Sequence, residues 1–200
     1  MTAPMPSGSI SLPRLPIAVP VHIRRVKEQD LLSIAHLLCT SFYPETSYWH
    51  WAVPLLRVGI YQDLRSRFVT QLSRHACFVA TLKSSTPPGE SAQETLVGTV
   101  EVTLKSLWLW QPPVPYISNL AVLPSYRRQG IAQNLLLTCE PVARSWSAND
   151  LYLNVLKTNA AAQSLYQKID YSPEESKLWP FGPSKRLLLR KRLAPVQSCS

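Results

Sequence analysis

Hydrophobic and polar residues change period along the chain. "VHIRRVK" (21–27) alternates apolar and polar positions like a half-buried strand, and "EQDLLSIAHLLCTSF" then repeats Leu31, Ile34, Ala35, Leu38 and Phe42 at the spacing of a helix face. Beyond an aromatic loop, "YPETSYWHWAVP", a second helical pattern runs through Tyr61, Leu64, Phe68 and Leu72. "ACFVATL" (76–82) and "TLVGTVEVTL" (95–104) read as strands on either side of "KSSTPPGESAQE", which predicts an antiparallel pair joined by a turn-forming segment. After "SLWLWQPPVP" comes a strand through Ile117 to Val122, and the helix after Gly130 carries Ile131, Leu135, Cys139, Val142 and Trp146 on one face. Pro141 removes a helical hydrogen bond and crowds the preceding turn, which predicts a kink near Thr138 to Glu140. "LYLNVLK" (151–157) reads as a strand, "NAAAQSLYQKI" (159–169) as a helix, and "KLWPFGPSKRLLLRKRL" as the end of one strand, a turn and a final strand. The order β-α-α-β-β-β-α-β-α-β-β predicts a mixed α/β fold, a central sheet flanked by helices.

Two hundred residues, 46% of them hydrophobic, suffice for one domain with a real core. The expected boundaries are a proline-rich tail over 1–19, the domain over 20–194 and a short tail over 195–200. The first twenty residues hold five prolines and no acid; acid-poor leaders also serve as transit peptides, so the expected location is cytoplasmic with the plastid stroma as its alternative. No run of 18 apolar residues is present, so no membrane span is expected. Cys39, Cys77, Cys139 and Cys199 are scattered, without a C-x-x-C pair or histidines at ligand spacing, and neither a metal site nor a disulfide framework is expected. The formal charge of +9 makes nucleic acid worth weighing. Only "KRLLLRKR" (185–192) clusters that charge, and it reads as a strand with solvated basic ends, so a nucleic-acid partner is not expected.

The chemistry starts at "ISNLAVLPSYRRQGIA", which runs from a strand through a proline turn to two arginines, a glycine and a helix start. A helix N-terminus presents unpaired N–H groups and the positive end of its dipole, so this arrangement suits an anion, phosphate first. Neither G-x-x-x-x-G-K-[ST] nor G-x-G-x-x-G is present. In "NAAAQSLY", Asn159 and Tyr166 differ by only about 20° around a helix and lie ~10 Å apart along it, so both can touch one elongated ligand. Equally, Asn159 can simply cap the helix and Tyr166 can be one more core aromatic.

Taken in order, strand, R-R-Q-G-x-A turn, helix, strand and N-x-x-A-x-x-L-Y helix, the segment resembles the acetyl-CoA-binding half of the GNAT superfamily of N-acetyltransferases, most strongly over Ile117 to Tyr171. "NLAVLPSYRRQGIA", "LLLTCEPVARSW" and "LYLNVLKTNAAAQSLYQKIDY" further resemble the plastid GNAT enzymes and the ribosomal-protein alanine N-acetyltransferases. The resemblance implies a single domain whose mixed, mostly antiparallel sheet splays between its fourth and fifth strands. It implies acetyl-CoA as co-substrate. Arg127, Gly130 and Ala132 match the family's Q/R-x-x-G-x-G/A pattern, so the loop of Arg127, Arg128, Gln129, Gly130, Ile131, Ala132 and Gln133 would hold the CoA pyrophosphate. Leu120, Ala121 and Val122 would pair with the pantetheine arm, and Asn159 and Tyr166 would contact the cofactor further along.

Two departures from the family pattern stand out. Asp170 occupies a position where many relatives have glycine, a small change because aspartate tolerates a left-handed helix cap. Asn154 stands in "LYLNV", where N-terminal acetyltransferase relatives often carry a histidine or glutamate base, and asparagine takes no proton at neutral pH. In the implied reaction an amine attacks the acetyl thioester directly. The Val122 N–H would hold the acetyl oxygen, Tyr166 would protonate the CoA sulfur, and Glu101 would act as base through a water ordered by Asn154. The alternative is that Glu101 points to solvent; His50 is a weaker candidate base. Neutralising a lysine of pKa ~10.4 at pH 7 costs roughly 4 to 5 kcal/mol against about 1 for an α-amine near 8. The expected acceptor is therefore a protein or peptide N-terminus, with lysine also open. The rivals are a small amine and an acyl-CoA-binding module without turnover. Phe42 to Trp51, Trp108 to Pro115 and Trp179 to Pro183 are expected to line the acceptor pocket.

Overall fold

The computed structural model describes residues 21–42, 53–69, 74–83, 94–107, 110–174 and 185–193. The expected tails, the candidate His50, most of the first aromatic loop and the turn at Trp179 to Pro183 lie outside the described residues. Among the described residues, seven strands and four helices follow one another in the expected order. They are β1 (Val21–Arg25), α1 (Leu31–Phe42), α2 (Val53–Val69), β2 (His75–Lys83), β3 (Glu94–Lys105), β4 (Val114–Val122), α3 (Ile131–Ser145), β5 (Asp150–Leu156), α4 (Ala160–Lys168), β6 (Ser172–Pro173) and β7 (Arg186–Arg192). They form one sheet in the order β1-β2-β3-β4-β5-β7-β6, antiparallel throughout except for the parallel pair β4 and β5.

Alternation along the central strands sends apolar side chains to both faces. Phe78, Val100, Ile117 and Leu153 pack with α3 and α4, whereas Cys77, Val79 and Ala121 pack with α1 and α2. α1 buries Leu31, Ile34, Ala35 and Leu38 as its periodicity predicts, but Phe42 ends the helix 54% exposed. In α2, Leu64 is buried while Tyr61 and Phe68 sit partly buried against the same cluster. α3 continues as one helix, Ile131–Ser145, with Pro141 inside it. The carbonyl that proline leaves without a donor belongs to Leu137, whose side chain is 40% exposed, so water reaches that side of the helix.

Two local features tie α3 to the sheet. A Cβ at Gly98 would meet Leu135 Cδ1 at 3.1 Å and the Ala121 carbonyl at 3.2 Å, so only glycine admits α3 this close. Glu140 on α3 accepts from buried Lys191 on β7 at 2.6 Å. Arg190 meets Asp150 through both its Nε and its Nη2, at 2.9 and 3.1 Å. The basic strand is therefore ion-paired rather than solvated at Arg190 and Lys191, a correction to its sequence reading. Beyond α4, Asp170 adopts φ 66, and the N–H groups of Asp170 and Tyr171 bond the carbonyls of Gln167 and Tyr166 at 3.2 and 3.0 Å. This is the left-handed cap expected of that aspartate.

Candidate active site

The pairing of β4 with β5 is short. Cα partners run only through Tyr116 with Tyr152 and Ile117 with Leu153. On the other side of β4, the register with β3 shifts between Thr99 and Glu101, where the three steps from Ala121 back to Ser118 oppose two on β3. The extra residue is a bulge at Asn119, held at φ 52, and such a bulge bends its strand. Past it, β4 leaves β5 and a gap opens between the two strands.

Main-chain groups line that gap. Leu123 N donates to Val97 O at 2.9 Å, so Leu123 and, two residues earlier, Ala121 turn their backbone toward β3. Alternation then aims the N–H groups of Leu120 and Val122 at the gap, and of the three expected pairing residues only these two present donors there. The Val122 carbonyl accepts from Arg127 Nε at 3.0 Å, which ties the following loop to the strand end.

That loop leads into α3 with Arg128 at φ 65 and Gly130, the N-cap, at φ 79. The first helical bond runs from Asn134 N to Gly130 O at 3.0 Å, so the N–H groups of Ile131, Ala132 and Gln133 have no partner within the helix. A Cβ on Gly130 would meet nothing within 4 Å. Arg127, Arg128 and Gln129 are exposed around this open space. A bare, left-handed turn and free amides at the positive end of a 15-residue helix fit a diphosphate group, and the gap beside them fits an extended amide-bearing arm.

The expected catalytic residues come from α4, β5 and β3, with Tyr166 in the layer of α3 and α4 and Glu101 on the opposite sheet face. Tyr166 is buried on α4 with its ring centroid 5.8 Å from that of Tyr171. Burial, with a smaller contribution from Tyr116, pushes its phenol up to about 12. Asn154 is half-buried, and it partly offsets the burial that raises the Tyr116 phenol. Asn159 caps α4: its Oδ1 accepts from Ala162 N at 3.1 Å, leaving the amide nitrogen for other partners.

Glu101 is wholly buried, not solvent-facing as its alternating strand allowed. It lies opposite Ser118 on β4 and Cys77 on β2, on the sheet face that packs with α1 and α2. Four side chains reach it: His75 at 2.7 Å, Arg67 at 2.9 Å, Asn119 at 2.6 Å and Ser118 at 3.5 Å. Burial alone would raise its pKa, but the hydrogen bond from His75 and the Arg67 charge outweigh burial and hold the carboxyl below the usual range. His75, Arg67 and Asn119 were missed by sequence reasoning because they come from three separate segments, and only the strand register brings them together. Among the described residues no group of three or more His, Cys, Asp or Glu gathers to hold a metal.

A strand gap with inward-facing amides, ending at an anion-ready helix start, defines a fold built to hold a long ligand with a phosphate end. The chain belongs to the GNAT family of acetyltransferases, to which residues 34–171 match. It is 35% identical over 131 residues to the chloroplastic GCN5-related N-acetyltransferase 10 of Arabidopsis thaliana, covering 60% of this chain and 50% of that one. The PaiA N-acetyltransferase of Thermoplasma acidophilum, solved in complex with coenzyme A, superposes with a TM-score of 0.63 at 17% identity, covering 86% of this chain and 98% of the other. The ribosomal-protein-S18-alanine N-acetyltransferase of Escherichia coli gives 0.56 at 17% identity, covering 90% and 98%. The expected family, its fold and its likeness to plastid members are thus borne out. The chain spans half the length of its chloroplastic relative.

Proposed function

We propose that this domain is an acetyl-CoA-dependent N-acetyltransferase whose acceptors are the α-amines of proteins or peptides. The observation that carries the reading is the candidate base: Glu101, opposite Ser118 on the strand that borders the gap, is held in its charged form. A depressed carboxylate is a weak base and suits an amine that gives up its proton easily. An α-amine near pKa 8 needs about 1 kcal/mol to lose its proton at pH 7, and a lysine needs roughly 4 to 5. Asn154, in place of a histidine or glutamate, adds no proton acceptor of its own.

Bound acetyl-CoA would supply the acetyl group as a thioester. The amides of Ile131, Ala132 and Gln133 with Gly130, Arg127, Arg128 and Gln129 would hold its diphosphate, and Leu120 its arm. The Val122 N–H would stabilise the acetyl oxygen as charge develops. Glu101 takes a proton from the acceptor ammonium through water, and Asn154 orients that water. The amine nitrogen attacks the acetyl carbon, the carbon–sulfur bond breaks with its electron pair on sulfur, and Tyr166 donates the proton the thiolate needs. Tyr166 recovers a proton from the nitrogen that loses it. The likeness to an alanine N-acetyltransferase supports the α-amine acceptor, and the chloroplastic relatives support a plastid location over a cytoplasmic one. No described helix is long and apolar enough to cross a membrane.

Thiol release from acetyl-CoA tests this directly, with peptides carrying free N-termini run beside the same peptides N-blocked and carrying lysine. Turnover confined to the free N-termini is the expected result. Equal turnover with blocked lysine peptides would overturn the α-amine assignment, and silence with both would leave only small amines or binding without turnover.

A further inference from the structure

The two oxygens of Glu101 serve different neighbours. Oε1 accepts from His75 Nε2 at 2.7 Å and Arg67 Nη1 at 2.9 Å. Oε2 accepts from Asn119 Nδ2 at 2.6 Å and from Ser118 Oγ at 3.5 Å, the longest of the four contacts. Asn119 and Ser118 belong to β4, the strand that borders the gap, so Oε2 is the oxygen on the β4 side. A carboxylate has about four lone-pair positions. Both on Oε1 are occupied by short contacts, while the loose Ser118 contact on Oε2 is the one a water or an amine can replace.

We propose that His75 is a positioning residue for acyl transfer, holding Glu101 by Oε1 so that Oε2 faces the acceptor amine. Arg67 cannot do this alone. Its guanidinium is shared with Asp63 at 2.8 Å and its side chain is 37% exposed, whereas that of His75 is 14% exposed. Both ends of the contact are pinned in the sheet: His75 pairs with Thr103 of β3, and Glu101 pairs with Cys77 of β2. The other ionisable groups facing this carboxylate are Cys77, on the same face of β2, and Asp63, behind Arg67. His75 keeps its N–H throughout and exchanges no proton with substrate; the proton that Oε2 takes up returns to solvent after turnover. The inference rests on Glu101 as the proton acceptor.

The test compares His75→Leu with His75→Gln, which retains an N–H donor. Thiol release with unblocked peptides gives the pH profile of kcat, and carbon-13 titration of the Glu101 carboxyl in acetyl-CoA-loaded protein gives a readout that needs no acceptor. Losing a donor that stabilises the charged carboxylate raises its proton affinity, so in His75→Leu both the acid limb of kcat and the carboxyl titration should move to higher pH. In the same variant kcat should fall about tenfold or more, with the KM for acetyl-CoA within about twofold. His75→Gln should restore most of the loss. A carboxyl titration and acid limb that stay in place in His75→Leu would overturn the proposal, however far its melting temperature falls. Wild-type turnover in Glu101→Gln would instead remove the base reading, and the carboxyl titration would still decide whether His75 holds Glu101.

Discussion

In the proposed reaction Tyr166 would act through its burial. A phenol pushed up to about 12 keeps its proton through the whole working range, which is what a donor to a developing thiolate needs. Tyr166→Phe should lower kcat by about tenfold to a hundredfold and leave acetyl-CoA affinity near wild type, as steady-state kinetics beside calorimetric binding would read. Asp30 shows the opposite balance. Burial would raise its pKa, but the Arg24 fork at 2.7 and 3.0 Å and the Lys27 N–H at 2.7 Å outweigh burial and bring it below the ordinary value. A depressed carboxyl adds stability above its unfolded pKa, about 3.9, and that stability disappears as pH falls through the folded value. Asp30→Asn should therefore be less stable than wild type at pH 7, with the difference closing in acid, measured by urea unfolding at both pH values. Residue types were legible in the sequence and their environments were not. Glu101 was nameable as the acid on the neighbouring strand, but no spacing in the chain connects it to His75 or Arg67.

At the scale of elements, the bulge in β4 opens the site. Its only sequence trace is Asn119 inside "YISNLAV", since one inserted residue hardly disturbs a short alternation. Asparagine is among the few side chains that accept φ 52, and here it also donates to Glu101. Asn119→Val should cost about 2 kcal/mol from left-handed strain together with an unpaired carboxylate lone pair, and should lower turnover. Asn119→Gly keeps the backbone free and should recover stability but not turnover. Thermal unfolding and thiol release on the pair separate the two effects. Helix and strand order was readable because each long element carries its own period. The exposed end of α1 at Phe42 was not, because its spacing is that of the buried residues before it.

Across the whole molecule, one sheet divides the labour between its faces. α3 and α4 bring the helix start and Tyr166 from one side, and β2 and α2 bring Glu101's partners from the other. The Glu140–Lys191 pair at 2.6 Å joins α3 to β7 within the first of these layers, with both side chains 11% exposed. Breaking it from one end leaves a buried charge without its partner, so Glu140→Ala should lose about 3 to 5 kcal/mol. Glu140→Met combined with Lys191→Met should lose far less, and chemical unfolding of the two variants would show the contrast.

The account stands or falls on the gap and the Gly130 turn holding acetyl-CoA. Titration calorimetry of acetyl-CoA into wild type and Gly130→Trp measures it most directly, because a Cβ there meets no protein atom within 4 Å and a bulky side chain would stand in the space proposed for the diphosphate. Saturable one-to-one binding by the wild type, with affinity at least about tenfold weaker in a folded Gly130→Trp, is the predicted result. Equal affinity in the two proteins would contradict the assignment of this turn to the diphosphate, and with it the orientation of the acetyl group on which the roles of Val122, Glu101 and Tyr166 depend.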